Sequence, residues 1–297
     1  MSVQISAIVP TSQPWPEIQP CLDGLFPQAR ELDAELIVLD PHGQGLPPDA
    51  ESRYPGIVHL TEPGASILRM RQAGMVAARG DVVALTEDHC RIPPGWLNRH
   101  LAAHGEHPEC AAVGGPVING CTERLMDWAI FLQNHALWFP PLPGGERRDL
   151  DRSNVSYKKR VLPSAPSPDG WDEPFLDEKL IERGERFWLD SGNVISHAQS
   201  LGPWGTLAIE FHVGRAVAGL QARNGMPRRR RLLRLVTSPL IAAVNLRTVL
   251  RVVLKRRVYP RRAMASVPLL VLISVFLAAG FLVGYATGPG ASGTGLR

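Results

Sequence analysis

Four successive positions, Glu87-Asp88-His89-Cys90, place two carboxylates, an imidazole and a thiol behind the hydrophobic run "DVVAL" and ahead of the prolines of "RIPPGW". Carboxylates and imidazole are ligands for hard to borderline divalent ions, and a carboxylate beside an imidazole also suits acid–base work. Taken alone, the stretch reads most simply as a polar turn that ends a strand, with Cys90 packed inward. A further carboxylate, Asp40, ends "AELIVLD" in the same way. A third acidic group, Asp177 and Glu178 in "DEKLIERG", is followed by Glu182, four residues after Glu178, as on an ordinary charged helix face.

The segments around these residues alternate between strand and helix character. "VQISAIVP", "AELIVLD", "GIVHL", "DVVAL" and "CAAVGGPVI" are short apolar runs closed by turn residues. Between them lie helical stretches: roughly 15–30, then "SILRMRQAGMVAARG" ended by Gly80, then "PGWLNRHLAAHGEH". This order predicts an α/β fold with a mostly parallel sheet sandwiched by helices. Ligands of such sheets gather at the carboxyl ends of the strands, where both Asp40 and the Glu87–His89 group fall.

Charge and hydropathy divide the chain. Up to Glu210 there are 28 acidic and 17 basic residues; beyond it there are 15 basic residues and no acidic one. A basic tail on an acidic body calls for a polyanionic surface. Val267 to Ala286 is a 20-residue stretch without a charge, about the length that crosses ~30 Å of hydrocarbon. The preceding "KRRVYPRR" places the N-terminal side in the cytoplasm by the positive-inside rule. In "RRRRLLRLVTSPLIAAVNLRTVLRVVLKRR", Arg247, Arg251 and Lys255 recur every four residues, the pattern of an interfacial helix facing anionic lipid. The near absence of aromatic residues there argues against a nucleic-acid arm. The N-terminus shows no signal-peptide pattern. The cysteines at 21, 90, 110 and 121 form no CxxC pair and read as free thiols. The expected organisation is a catalytic domain over 1–223, a basic amphipathic segment over 224–262, and a transmembrane helix with a short tail over 263–297. That gives a single-pass membrane protein with its catalytic domain in the cytoplasm.

From residue 3 to about 215 the chain resembles a family 2 glycosyltransferase of GT-A fold. "ISAIVPTS" resembles the opening strand and turn, and "AELIVLDPHG" the second strand, whose terminal Asp contacts the nucleoside. "MRQAGMVAARGDVVALTEDHC" resembles the helix and strand leading to the Asp-x-Asp metal motif. "LDRSNVSYKKRVL" resembles the acceptor-side Asn-x-x-Tyr-Lys/Arg element, and "EPFLDEKLIERG" the acidic helix that supplies a base. Three departures stand out. Pro41 follows Asp40, Glu-Asp-His replaces Asp-x-Asp, and the acidic pairs at 172–173 and 177–178 leave the base without a unique alignment.

The resemblance implies an inverting transferase. It would move a sugar from a UDP- or GDP-sugar to a lipid-linked or membrane-proximal acceptor in envelope glycan synthesis. Pro10, Thr11, Asp40, Arg71 and Asp88 would bind the donor. Asp88, His89 and Glu87 would hold a divalent metal, Mn²⁺ or Mg²⁺, with the imidazole favouring Mn²⁺. Glu178 or Asp177, and after them Glu173, would act as base; an ionised lipid phosphate acceptor would need none. Anionic membrane lipids complete the expected partners, and nucleic acid is not among them. A non-catalytic membrane adaptor that keeps the fold without the chemistry is the alternative. A nucleotidyltransferase would need a Gly-rich basic loop after the first strand, which "PTSQPWPEIQP" does not supply.

Overall fold

The computed structural model describes residues 3–12, 14–43, 47–165 and 175–293. They form two compact units: Met1–Gly120 with Trp138–Ala198, and Cys121–Leu137 with Gln199–Arg297. Residues 121–137 and 199–223, which the sequence reading groups with the catalytic domain, lie in the second unit.

The first unit is built on β1 (Ile5–Pro10), β2 (Glu35–Asp40), β3 (Val58–Thr61), β4 (Val82–Leu85), β6 (Cys110–Gly114), β8 (Gly145–Arg147), β9 (Val155–Lys158) and β10 (Arg186–Leu189). They form one sheet in the order β3-β2-β1-β4-β9-β6-β10-β8. Strands β3, β2, β1 and β4 are parallel, as are β6 and β10. Strand β9 lies antiparallel between β4 and β6, and β8 is antiparallel at the edge. Every residue of β1 and β2 is buried, which explains why both read as continuous apolar runs without alternation. Helices α1 (Gln19–Glu31), α2 (Pro48–Arg53), α3 (Ile67–Ala77), α4 (Trp96–Glu106) and α6 (Leu176–Glu182) complete the unit. The expected α/β architecture is present.

Two helix limits differ from the expectation for local reasons. Helix α1 starts at Gln19, not near residue 15, with Pro20 in its first turn, where the missing N–H costs nothing. Helix α3 starts at Ile67, capped by Ser66, whose hydroxyl accepts from Arg69 N at 3.3 Å. It ends at Ala77 because Ala78 is already extended, three residues before Gly80. Gly74 lets α3 settle on the sheet: a Cβ there would lie 2.6 Å from Ile8 Cγ2 and 2.9 Å from Leu39 Cδ1. That close approach carries Arg71, one turn earlier, to the carboxyl ends of the strands.

A second, three-stranded sheet, β5 (Cys90–Arg91), β11 (Ile195–His197) and β7 (Val117–Asn119), lies beyond those strand ends. Its join to the main sheet is clasped by Asn154, which is fully buried. Asn154 Oδ1 accepts from Trp96 Nε1 at 2.8 Å, and Nδ2 donates to Pro116 O and Asn193 O at 3.0 and 2.7 Å. Gly115 sits beneath it, where a Cβ would come 1.9 Å from Asn193 O.

The second unit is helical: α5 (Leu125–His135), α7 (Pro203–Arg223), α8 (Arg228–Thr237), α9 (Leu240–Arg256) and α10 (Pro260–Thr287). The expected apolar stretch lies inside α10, and among the described residues this is the one unbroken helix long and apolar enough to cross a membrane. Helices α7 and α10 touch backbone to backbone through glycines. A Cβ on Gly214, Gly280 or Gly284 would lie 2.3, 2.1 or 2.4 Å from Leu277 O, Phe211 O or Arg215 O. The basic segment breaks at Pro239 into α8 and α9, bent by 65°. Within this unit Glu210 of α7 is buried and accepts from Asn134 Nδ2 at 3.1 Å; burial lifts its pKa to about 7.

Candidate active site and metal centre

Strands β1, β2 and β4 are parallel neighbours, so Thr11, Asp40 and the Glu87–His89 turn emerge from the same edge of the sheet. Beyond Leu85 the chain turns, with Cys90 N bonded to Glu87 O at 2.9 Å, and enters β5. Strand β5 pairs antiparallel with β11, setting His197 opposite Cys90, and Ala198 N donates to His89 O at 3.2 Å. This pairing brings Glu87, His89 and His197 together.

The three ligand atoms form a nearly equilateral triangle. Glu87 Oε2 is 3.1 Å from His89 Nε2 and 3.1 Å from His197 Nε2, and the two Nε2 atoms are 2.9 Å apart. Three ligands on one face of an octahedron of radius about 2.1 Å have edges of about 3.0 Å, so the triangle fits an octahedral divalent ion. Two imidazoles and one carboxylate make a set better matched to Mn²⁺ than to Mg²⁺. Glu87, His89 and His197 are the residues that could hold the metal.

Asp88 has another place. It is 1% exposed, and its Oδ2 accepts from Ser12 N at 2.6 Å and from Ser12 Oγ at 3.3 Å. Its Oδ1 lies 2.8 Å from His89 Nδ1. A carboxylate there holds the ring proton on Nδ1 and turns the Nε2 lone pair toward the triangle, the usual arrangement behind a metal-bound histidine. Of the expected ligands Glu87, Asp88 and His89, the geometry brings the first and third to the cluster and sets Asp88 behind it. His197 takes the third corner.

Arg71, buried on α3, forms an ion pair with Glu87 Oε1. Burial by itself would raise the pKa of Glu87. Hydrogen bonds from His197 and His89 and the charge of Arg71 outweigh it and hold the carboxyl well below the usual range. Burial would lower His89, but its bonds to Asp88 and Glu87 lift it to about 9, so Nε2 holds a proton that a bound ion would have to displace.

The remaining candidates fall into three groups. Pro10 ends β1, and Thr11 Oγ1 donates to Leu39 O at 2.9 Å, tying the first two strand ends together. Asp40 Oδ1 accepts from His42 N at 2.7 Å, closing its own turn, while Oδ2 is 3.7 Å from His59 Nε2. On α6, Glu178 is exposed, whereas Asp177 is buried and accepts from Tyr157 Oη at 2.7 Å. Tyr157 pairs with Val83 on β4, two positions before the strand's last residue. Glu173 lies outside the described residues.

His197 belongs to none of the motifs that the sequence offers. Only the β5–β11 pairing, across more than a hundred residues, reveals it.

The glycosyl transferase family 2 profile matches residues 6–159, just over half of the chain. A curated relative, the glucosyl-dolichyl phosphate glucuronosyltransferase of Haloferax volcanii, is 25% identical over 116 residues, 36% of this chain. The match spans about a third of that relative's length, 35%. Among solved structures, a mannosyltransferase from Pyrobaculum calidifontis, in complex with GDP-Man and Mn²⁺, aligns over 97% of this chain and 88% of its own. Its TM-score is 0.56 at 15% identity. A mycobacterial protein aligns over 76% of each chain with a TM-score of 0.52 at 18% identity. These structural likenesses establish a shared GT-A-like fold. The chain belongs to glycosyl transferase family 2.

Proposed function

We propose that this chain is a metal-dependent inverting glycosyltransferase that moves a sugar from a UDP- or GDP-sugar to a lipid-linked acceptor in envelope glycan synthesis, with its first unit on the cytoplasmic face of a membrane. The observation that carries this reading is the Glu87–His89–His197 triangle at the same sheet edge as Asp40. The Mn²⁺ and GDP-Man of the Pyrobaculum neighbour and the dolichyl-phosphate name of the Haloferax relative support it.

A divalent ion held by Glu87, His89 and His197 would stabilise the negative charge that builds on the diphosphate as the glycosidic bond breaks. Asp88 orients His89 and, through Ser12, fixes the loop after β1. Arg71 balances the charge of Glu87. Asp40, an acceptor only, is suited to a nucleoside N–H or hydroxyl. Glu178, exposed on α6, and Asp177, held by Tyr157, are the two candidate bases for an acceptor hydroxyl. The test is transfer of radiolabelled sugar from UDP- or GDP-sugars to polyprenyl phosphate in membranes containing the chain. Label in the lipid fraction that requires Mn²⁺ supports the reading; no transfer or hydrolysis from any donor, by folded protein, removes it.

A further inference from the structure

Hydropathy makes α10 a membrane span, but its neighbours in the second unit do not suit one. Helix α5 has 11 residues, and the chain enters and leaves it from the first unit, at Gly120 and Trp138, so α5 itself cannot cross. Yet α10 lies along it: Ser266 Oγ reaches Leu125 O at 3.5 Å and Ser274 Oγ donates to Gln133 Oε1 at 3.0 Å. About a third of α10 is therefore held beside a helix that stays on one side.

Helices α8 and α9 then run back along α10. Arg256, four residues before α10 begins, donates to Ala136 O and Leu137 O at 3.2 and 2.8 Å, while Arg231 reaches Tyr285 O and Ala286 O at 2.5 and 2.8 Å at the end of α10. Counted back from the turn that joins α9 to α10, the exposed Arg251 and Arg247 fall level with roughly residues 267 and 271 of α10 at 1.5 Å per residue. The exposed Arg228–Arg230 and Arg234 fall level with its last turns. The stretch of α10 without a cation beside it is then about 17 Å long, against ~30 Å of hydrocarbon.

Apolar side chains are exposed along the same length: Met264, Val275 and Leu282 on α10, Val244 on α9, and Leu233 and Val236 on α8. Apolar residues interleaved with arginine, and no acid anywhere beyond Glu210, match the acyl–phosphate boundary of an anionic leaflet.

We propose that α8, α9 and α10 lie in the plane of the membrane within one anionic leaflet, so that α10 is an in-plane anchor and does not cross. Both ends of α10 are then on the same side.

The test uses the full-length chain in native membranes, with Cys121→Ser as background. Glu123→Cys and Thr287→Cys report the two ends of α10, labelled with a membrane-impermeant maleimide in sealed vesicles of each orientation. Met264→Cys, Val275→Cys and Leu282→Cys, each carrying a fluorophore, report depth by nitroxide-lipid quenching. The proposal expects both end positions to label from one face and the three depths to agree within a few ångströms. Labelling of 123 and 287 from opposite faces, Val275 deepest with the others shallow, or no quenching at any of the three would each overturn it.

Discussion

His197 Nε2 lies 2.9 Å from His89 Nε2, although the two residues are 108 positions apart in the chain. Facing imidazole nitrogens at this distance can share a single proton or bind one ion between them, and Glu87 supplies the carboxylate that completes an ion's ligand set. His197→Ala is therefore expected to weaken Mn²⁺ binding by upwards of about 100-fold while the fold survives. Manganese EPR titration of purified protein measures it, with His212→Ala as the control that leaves affinity unchanged.

Asp88 sits behind His89, one step back from the proposed metal centre. Replacing it by Asn keeps the shape but removes the charge that fixes the His89 proton. Asp88→Asn is expected to lower Mn²⁺ affinity by about 10- to 100-fold, less than loss of His197. Calorimetric titration of both variants gives the order; an Asp88→Asn loss larger than that of His197→Ala would make Asp88 a direct ligand.

Asp177 and Tyr157 separate chemistry from support. Tyr157→Phe removes one hydrogen bond to a buried carboxylate and should cost about 1–3 kcal/mol of stability with a modest loss of kcat. Asp177→Asn should lower kcat by about 100-fold or more with KM little changed if it takes the acceptor proton. Equal activity of Asp177→Asn and wild type would remove it as base, and Glu178→Gln is the comparison.

The first unit also carries a pH dependence of its own. Ser156 Oγ lies 2.8 Å from His100 Nδ1 and 3.0 Å from His104 Nε2, and both rings are buried. Burial lowers His100 to about 3 and His104 to about 4. Below their unfolded value, near 6.5, the unfolded chain binds the extra protons. The stability is thus complete above about pH 6.5 and falls as pH drops toward these values, by up to about 1.4 kcal/mol per pH unit for each ring. Thermal melts between pH 7.5 and 4.5 should show that slope, and His104→Gln should reduce it by about half.

Much of this was legible from residue order. Buried parallel strands leave continuous apolar runs, so β1, β2 and β4 and the polar residues at their ends could be read directly. Glu87 and His89 stand out because they follow such a strand end and resemble the family's metal motif. His197 does not, because a two-residue strand pairing across about a third of the chain leaves no local pattern. The resemblance implies Asp88 as a donor and metal contact; its bonds to Ser12 and His89, which no local pattern shows, set it behind His89. In α10 the sequence exposes length and hydropathy, whereas the α5, α8 and α9 contacts beside it arise from tertiary packing.

The most direct test of the central claim is titration of a UDP- or GDP-sugar into the detergent-solubilised chain with and without Mn²⁺, for wild type and His197→Ala. Nucleotide-sugar binding that requires Mn²⁺ in the wild type and falls by at least about 100-fold in His197→Ala is the predicted result. Tight binding without metal, or identical metal-dependent binding by both proteins, would contradict a metal centre at Glu87, His89 and His197.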